Sequence, residues 1–278
     1  MANLYTAIYS FTLSLYMLAS LLYYLDFKGD AEGKRLLYYA GLSLKGAFAG
    51  LSILMLVRLF AYRYFPAYTF YETLLLLTFS GSLILIILQA CHHRYQRILF
   101  FTLPLITFFL LLAGFFPWEG VELLPELQSF WPFMHIFTIM GAYAIMSVAF
   151  MASLMYLLID YLLKKKARIQ FLERMPSLHT LDNLNYILVI AGFSMLTLSF
   201  MLGAFWADRV WGSMWDWEPR QTFALITWLV YATYLYFRII SGWRGKSISL
   251  LNIAGFMTII FNYFIIRFVF SSNLHVFF

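Results

Sequence analysis

Eight apolar stretches, each long enough to cross a bilayer as a helix, dominate this chain. They run at roughly 4–25, 36–58, 70–90, 97–116, 131–162, 184–206, 220–240 and 248–270. A span needs about 20 apolar residues. Inside lipid its backbone groups must be satisfied within the segment, which favours helices. Composition agrees: 63% of residues are hydrophobic and 12% charged, whereas a soluble domain is about a quarter charged. The expected fold is all-α, a polytopic helical membrane protein with about eight transmembrane helices. No repeat or low-complexity linker divides the chain, so residues 1–278 are expected to form a single domain. The fifth stretch is longer than a span and should begin in one interface and project past the other.

The loops suggest an orientation. Lys28, Lys34, Arg35, Arg94, Arg97, Lys164, Lys165, Lys166, Arg168, Arg174, Arg238, Arg244 and Lys246 fall on one side. Arg58, Arg63, Arg209 and Arg220 fall on the other, and Lys45 and Arg267 lie within spans. Basic loops stay in the cytoplasm, so both termini are expected outside. The first stretch reads as a retained helix, since no basic run and no small-residue cleavage site accompany it. The net charge of +6 is explained by these short loops, and nucleic acid is not an expected partner. Cys91 is the single cysteine. That excludes an intrachain disulfide, a C-x-x-C redox pair and a C-x-x-C-H attachment site for covalent haem.

Residues 206–222, between the sixth and seventh stretches, read W-A-D-R-V-W-G-S-M-W-D-W-E-P-R-Q-T. This is expected to be an external loop. An aromatic belt also uses Trp at the membrane surface. Belts scatter it, however, and here Trp211, Trp215 and Trp217 crowd around Gly212, Pro219 and several charges. If the segment is helical, Trp211 and Trp215 share a face and Trp217 points elsewhere. Gly212 would let a flat ligand approach the backbone. Pro219 suits the first turn of the seventh helix, with Glu218 at its N-cap, where Asp would cap better.

Of five histidines, His92, His93 and His179 read as polar loop residues on the basic side. His135 and His275 fall on the other side, level with the Trp-rich stretch. A zinc site wants four ligands, or three and water. Haem iron needs only one or two axial ligands, and imidazole is a common one. Indole faces suit the porphyrin plate. Arg209 or Arg220 could meet its carboxylates. Charge inside a membrane is functional by default, although Lys45 could simply snorkel, and Arg267 could snorkel or reach a haem carboxylate. Glu72 is a candidate partner for Arg267 or Arg58.

The segment W-G-S-M-W-D-W-E-P-R-Q-T resembles the tryptophan-rich "WWD" signature of haem-handling proteins in cytochrome c biogenesis, and most the CcsA/ResC branch of System II. That branch reads close to W-G-x-x-W-x-W-D-P-K-E-T. Leu181-Asp182-Asn183-Leu184, Ala224-Leu225-Ile226-Thr227-Trp228 and Tyr71-Glu72 also look like that family, and the similarity covers most of the chain from about residue 66. The resemblance implies that His135 and His275 ligate iron from opposite faces of a non-covalently bound haem b, carried as cargo. Trp206, Trp211, Trp215 and Trp217 would form a shelf, with Gly212, Glu218, Pro219 and Arg220 in the same site.

It further implies a haem-handling protein rather than an enzyme by itself, acting within a haem lyase complex. The implied partners are a CcsB/ResB-type membrane protein, apocytochrome c and thiol-reducing proteins of the pathway. The implied location is the bacterial cytoplasmic membrane or its thylakoid equivalent, with the Trp-rich stretch outside. Glu218, Arg220 and Gln221 stand where the pattern has Asp, Lys and Glu. Apart from His135 at the outer start of the fifth stretch, no histidine lies within a span, and Tyr236 falls near the position of an intramembrane histidine of the branch. Passage of haem through the membrane is therefore left open, and a HemX-like regulatory paralogue in tetrapyrrole metabolism is the alternative.

Overall fold

The structure, a computed structural model, describes residues 2–28, 33–91, 95–123, 125–166, 172 and 175–266. Eight helices in it are long and apolar enough to cross a membrane. They are α1 (Ala2–Lys28), α2 (Gly33–Tyr62), α3 (Phe70–Cys91), α4 (Gln96–Ala113), α5 (Phe130–Lys164), α6 (Leu178–Trp211), α7 (Pro219–Ile239) and α8 (Lys246–Ile260). A π-helical segment, Phe261–Ile266, continues α8. A short 3-10 turn, Pro125–Gln128, precedes α5. The chain is an integral membrane protein of the expected all-α class. His92, His93, Arg94, Arg168, Arg174, Arg267 and His275 lie outside the described residues.

α5 is the centre of the bundle. It packs most extensively on α6, and also touches α3, α4 and α8. α1 packs on α2 and α4. The reason lies in the α5 sequence: Gly141, Ala142, Ala144, Ser147, Ala149, Ala152 and Ser153 are all buried. Lipid tails supply no hydrophobic drive between helices, so small side chains that admit a neighbouring backbone decide which face packs. Buried polar groups then tie helices together. Ser153 accepts from Asn185 of α6 and Asn252 of α8, each at 2.9 Å, and Asn252 also donates to Asn185 at 2.9 Å. Tyr16 of α1 meets Ser82 of α3 at 2.6 Å.

α6 outruns its expected span of 184–206 at both ends. Ser177 caps its start by accepting from the Thr180 N–H. Asp182 lowers the local hydropathy, yet it is buried in an ion pair. Arg238 of α7 grips both of its oxygens, at 3.1 and 2.6 Å, and the Gly245 N–H adds a third bond at 2.8 Å. Arg238 is therefore buried rather than a loop charge. At the other end Asp208 and Arg209 stay helical, with Arg209 lying over the Trp131 ring at 5.2 Å.

On the membrane face where α3 begins, a second buried pair joins the first three helices. Arg58 of α2 binds Glu72 of α3, with side chains 1% and 0% exposed, and also donates to the Trp118 carbonyl. The other Glu72 oxygen accepts from the Tyr68 and Thr69 N–H groups, while the Thr69 hydroxyl accepts from the Glu72 N–H. That is a capping box. Of the two expected partners of Glu72, the structure supplies Arg58. Lys45 is exposed on the surface of α2, consistent with a snorkelling ammonium.

Candidate functional site

His135 stands near the start of α5, against the end of α6. Its Nδ1 is 2.8 Å from the Ser199 carbonyl oxygen. A carbonyl only accepts, so Nδ1 carries the proton and Nε2 keeps the lone pair. The Ser199 hydroxyl is 3.1 Å from the same nitrogen and donates to the His135 carbonyl oxygen at 3.1 Å. Gly203, one turn further along α6, makes this approach possible. A Cβ there would lie 2.8 Å from both Cε1 and Nδ1 of the imidazole.

A cavity of about 230 Å³ opens beside His135. α6 contributes Phe200, Trp206 and Trp211 to its wall. The two indoles meet edge to face, with centroids 5.0 Å apart and planes at 67°. The segment after α6 contributes Met214 and Trp215, and the first turn of α7 contributes Arg220 and Gln221. Asn262 and Tyr263 enter from the π-helical segment, and Thr73 from α3. Single-turn π segments recur at functional sites because they re-aim side chains without ending a helix. Here Tyr263 meets Thr73 at 2.7 Å, closing that side of the cavity.

The Trp-rich stretch is not one loop. Trp206 and Trp211 belong to the last turns of α6, and helix resumes at Pro219. Gly212 ends α6 with φ 73°, its N–H bonded to the Asp208 carbonyl at 2.9 Å. Only glycine takes that conformation without strain. A Cβ there would meet nothing within 4 Å, so the space around it is open. Because the helix ends at Gly212, Trp211 and Trp215 do not share a helical face. Both nonetheless line the cavity. The Ser213 hydroxyl bonds the Trp215 carbonyl at 2.9 Å and N–H at 3.2 Å, folding the indole back towards Phe200, 5.6 Å away.

Gln221 fixes the second half of the turn. Its Oε1 accepts from the Asp216 N–H at 2.9 Å. Trp217 lies outside the cavity wall, 71% exposed, with its ring edge-on to Trp215 at 5.4 Å. It also has φ 55°, a left-handed conformation that costs a non-glycine residue about 1–2 kcal/mol. Glu218 occupies the N-cap of α7 without a side-chain capping bond, and Pro219 follows in the first turn. Burial pushes the Glu218 carboxyl above its ordinary range, Arg220 opposes this, and Asp216 adds to it.

Of the residues singled out in sequence, His135, Trp206, Trp211, Trp215 and Arg220 thus border one cavity. Gly212, Glu218 and Pro219 are not on its wall; they end α6 and begin α7 on either side of Met214 and Trp215. Arg209 does not border it, and among the described residues Arg220 is the guanidinium on its wall. Tyr236 is 56% exposed on the outside of the bundle. His179 is exposed near the start of α6, at the opposite membrane face, 3.4 Å from Asn183. Sequence reasoning missed Ser199, Gly203, Gln221 and Asn262. The first two sit four apart in α6, a spacing that marks one helix face, and that alone could have drawn notice.

The arrangement offers one imidazole lone pair, indole walls and a guanidinium. That donor set fits an iron porphyrin, which asks for an axial nitrogen, flat apolar contact and a cation for its carboxylates. The chain matches the model of the Cytochrome C assembly protein family over residues 67–274. It is 31% identical over 252 residues to the cytochrome c biogenesis protein CcsA of Cyanophora paradoxa, covering 74% of this chain and 77% of that protein. It is 32% identical over 258 residues to CcsA of Heterosigma akashiwo, covering 78% of each. With CcsA of Prochlorococcus marinus it shares 32% over 229 residues, 72% of each. Among solved structures it resembles the cytochrome c haem lyase CcmF, with a TM-score of 0.62 and 16% identity. That likeness covers 99% of this chain and 50% of the other, so the chain spans half of that protein and the likeness is one of fold. On the family match and these relatives together, the chain belongs to the cytochrome c assembly protein family and is of its CcsA type.

Proposed function

We propose that this chain, acting in cytochrome c maturation, holds haem b as cargo in the His135 cavity and presents it to apocytochrome c. The observation that carries this is the His135 imidazole. Its proton is committed to Ser199, and its other nitrogen belongs to a side chain on the wall of a Trp-lined cavity. An anchored imidazole of this kind is the usual arrangement of a metal-ligating histidine. His135 and His275 would hold the iron. Trp206, Trp211 and Trp215 pack the porphyrin, and Arg220 meets its carboxylates. Bound iron porphyrin supplies the vinyl groups that the thiols of apocytochrome c add to. This chain's residues bind and orient it and exclude water.

The cavity opens to the outer side of the membrane, with both termini outside, because the loops at the other face carry most of the Lys and Arg. The whole chain acts as one domain, and residues 206–222 form the haem-facing element. A CcsB/ResB-type membrane protein completes the complex, and thiol-reducing proteins keep the acceptor cysteines reduced. The membrane is the bacterial cytoplasmic membrane or a thylakoid.

Cells lacking the chain test this. Holocytochrome c should disappear, return with the wild-type chain, and not return with His135→Ala expressed at the same level. Normal holocytochrome c without the chain would contradict the proposal.

A further inference from the structure

Two donors on the cavity wall have no acceptor among the described residues, and one of them is buried. The first is the Trp215 indole. Its Nε1 is buried and has no acceptor among the described residues. An N–H left so costs about 1–3 kcal/mol, and buried polar groups normally find partners. The second is the Gln221 amide. Its oxygen is committed to the Asp216 N–H. Since a backbone N–H only donates, this fixes which end of the amide is which. The NH₂ end is left as a donor with no acceptor among the described residues. Both residues line the cavity, as does Arg220.

We propose that Trp215 Nε1 and Gln221 Nε2 donate hydrogen bonds to the carboxylates of the porphyrin in this cavity, alongside the Arg220 guanidinium. This rests on the haem reading of the site and extends it. The wall formed by residues 215–221 becomes the carboxylate end of the cavity and fixes which edge of the plate faces it. Ring packing alone holds a plate but leaves it free to turn in its plane. Directed donors at one end remove that freedom, because bonds to a charged acceptor are about twice as strong as neutral ones.

The test compares haem with its dimethyl ester, which keeps the iron and ring and masks both carboxylates. Each is titrated by absorbance into the detergent-purified full chain, for wild type, Trp215→Phe and Gln221→Met. Trp215→Phe keeps a ring against Phe200 and removes the N–H. Gln221→Met removes the donor without adding a negative charge, which would repel the carboxylates on its own. Wild type should bind haem at least about tenfold more tightly than the ester, as expected for hydrogen bonds to charged groups. Each variant should lose roughly five- to twentyfold more in affinity for haem than for the ester. Equal losses for haem and ester, or no loss for either, would overturn the proposal. Failure of the wild type to bind either compound would sink the haem reading itself, and this proposal with it. That outcome is told apart by needing no variant.

Discussion

The Nδ1 of His135 is 2.8 Å from the backbone oxygen of Ser199. One contact across two helices thereby sets both the tautomer and the orientation of the imidazole. Outer partners of this kind typically change metal affinity by about 10–100-fold when lost.

Gly203 is where that contact can be broken without touching the histidine. Gly203→Ala places a methyl 2.8 Å from the ring, and the imidazole must turn off Ser199. Haem affinity should fall about 10–100-fold, measured by absorbance titration. Gly192→Ala is the control in the same helix. Its Cβ would press on the buried Met146 side chain, with Cε at 2.8 Å and Sδ at 3.0 Å, and not on the imidazole, so haem affinity of the folded protein should stay at the wild-type value.

Trp215 and Trp217 are two residues apart and should behave differently. Trp215 borders the cavity and Trp217 does not. Trp215→Ala should weaken haem binding by about tenfold or more, the cost of a lost aromatic contact with its hydrogen bond. Trp217→Ala should weaken it less than about threefold. Trp217→Gly should raise the melting temperature, since glycine relieves the φ of 55°.

Glu218 supplies a pH dependence. Burial raises its carboxyl above the ordinary value, which is about 4.3, so the folded state favours the protonated form. Its stabilising contribution is fully present below that ordinary value and is lost as pH rises through the folded value. Glu218→Gln stays neutral throughout. Wild type should lose thermal stability relative to Glu218→Gln as pH rises through this window, read as the difference in melting temperature across a pH series.

The two buried ion pairs are far apart and serve the bundle rather than the ligand. Removing one partner of a buried pair costs about 3–5 kcal/mol. Arg58→Met and Asp182→Asn should therefore each lower the melting temperature in detergent. Asp182→Asn should leave haem affinity in the remaining folded protein unchanged, because the pair lies at the face opposite the cavity. Arg58→Met combined with Glu72→Met should recover part of the loss of the single change.

All eight spans were legible, because apolar runs of bilayer length leave few alternatives. The Trp-rich stretch and His135 were legible as a candidate site, because indoles, glycine and proline crowd into a few residues at one membrane level, and the structure brings them to one cavity. What joins them was not. Ser199 and Gly203 look like ordinary small residues in an apolar run, and only the packing of α5 on α6 shows that one binds the imidazole and the other makes room for it. Asp182 and Arg238 are 56 residues apart, and each alone reads as a polar interruption near a helix end. Hydropathy therefore started α6 too late. It also ended α6 too early, because the left-handed turn at Gly212 outweighs the charges of Asp208 and Arg209 in setting where the helix stops.

The most direct test is the optical spectrum of the purified full chain, oxidised and reduced, with haem supplied, for wild type, His135→Ala, His275→Ala and the variant with both changes. The account expects a low-spin spectrum with two imidazole ligands in wild type. Either single variant should lose it, and the double variant should lose bound haem. A wild-type spectrum retained in His135→Ala would contradict the assignment of the cavity as the haem site.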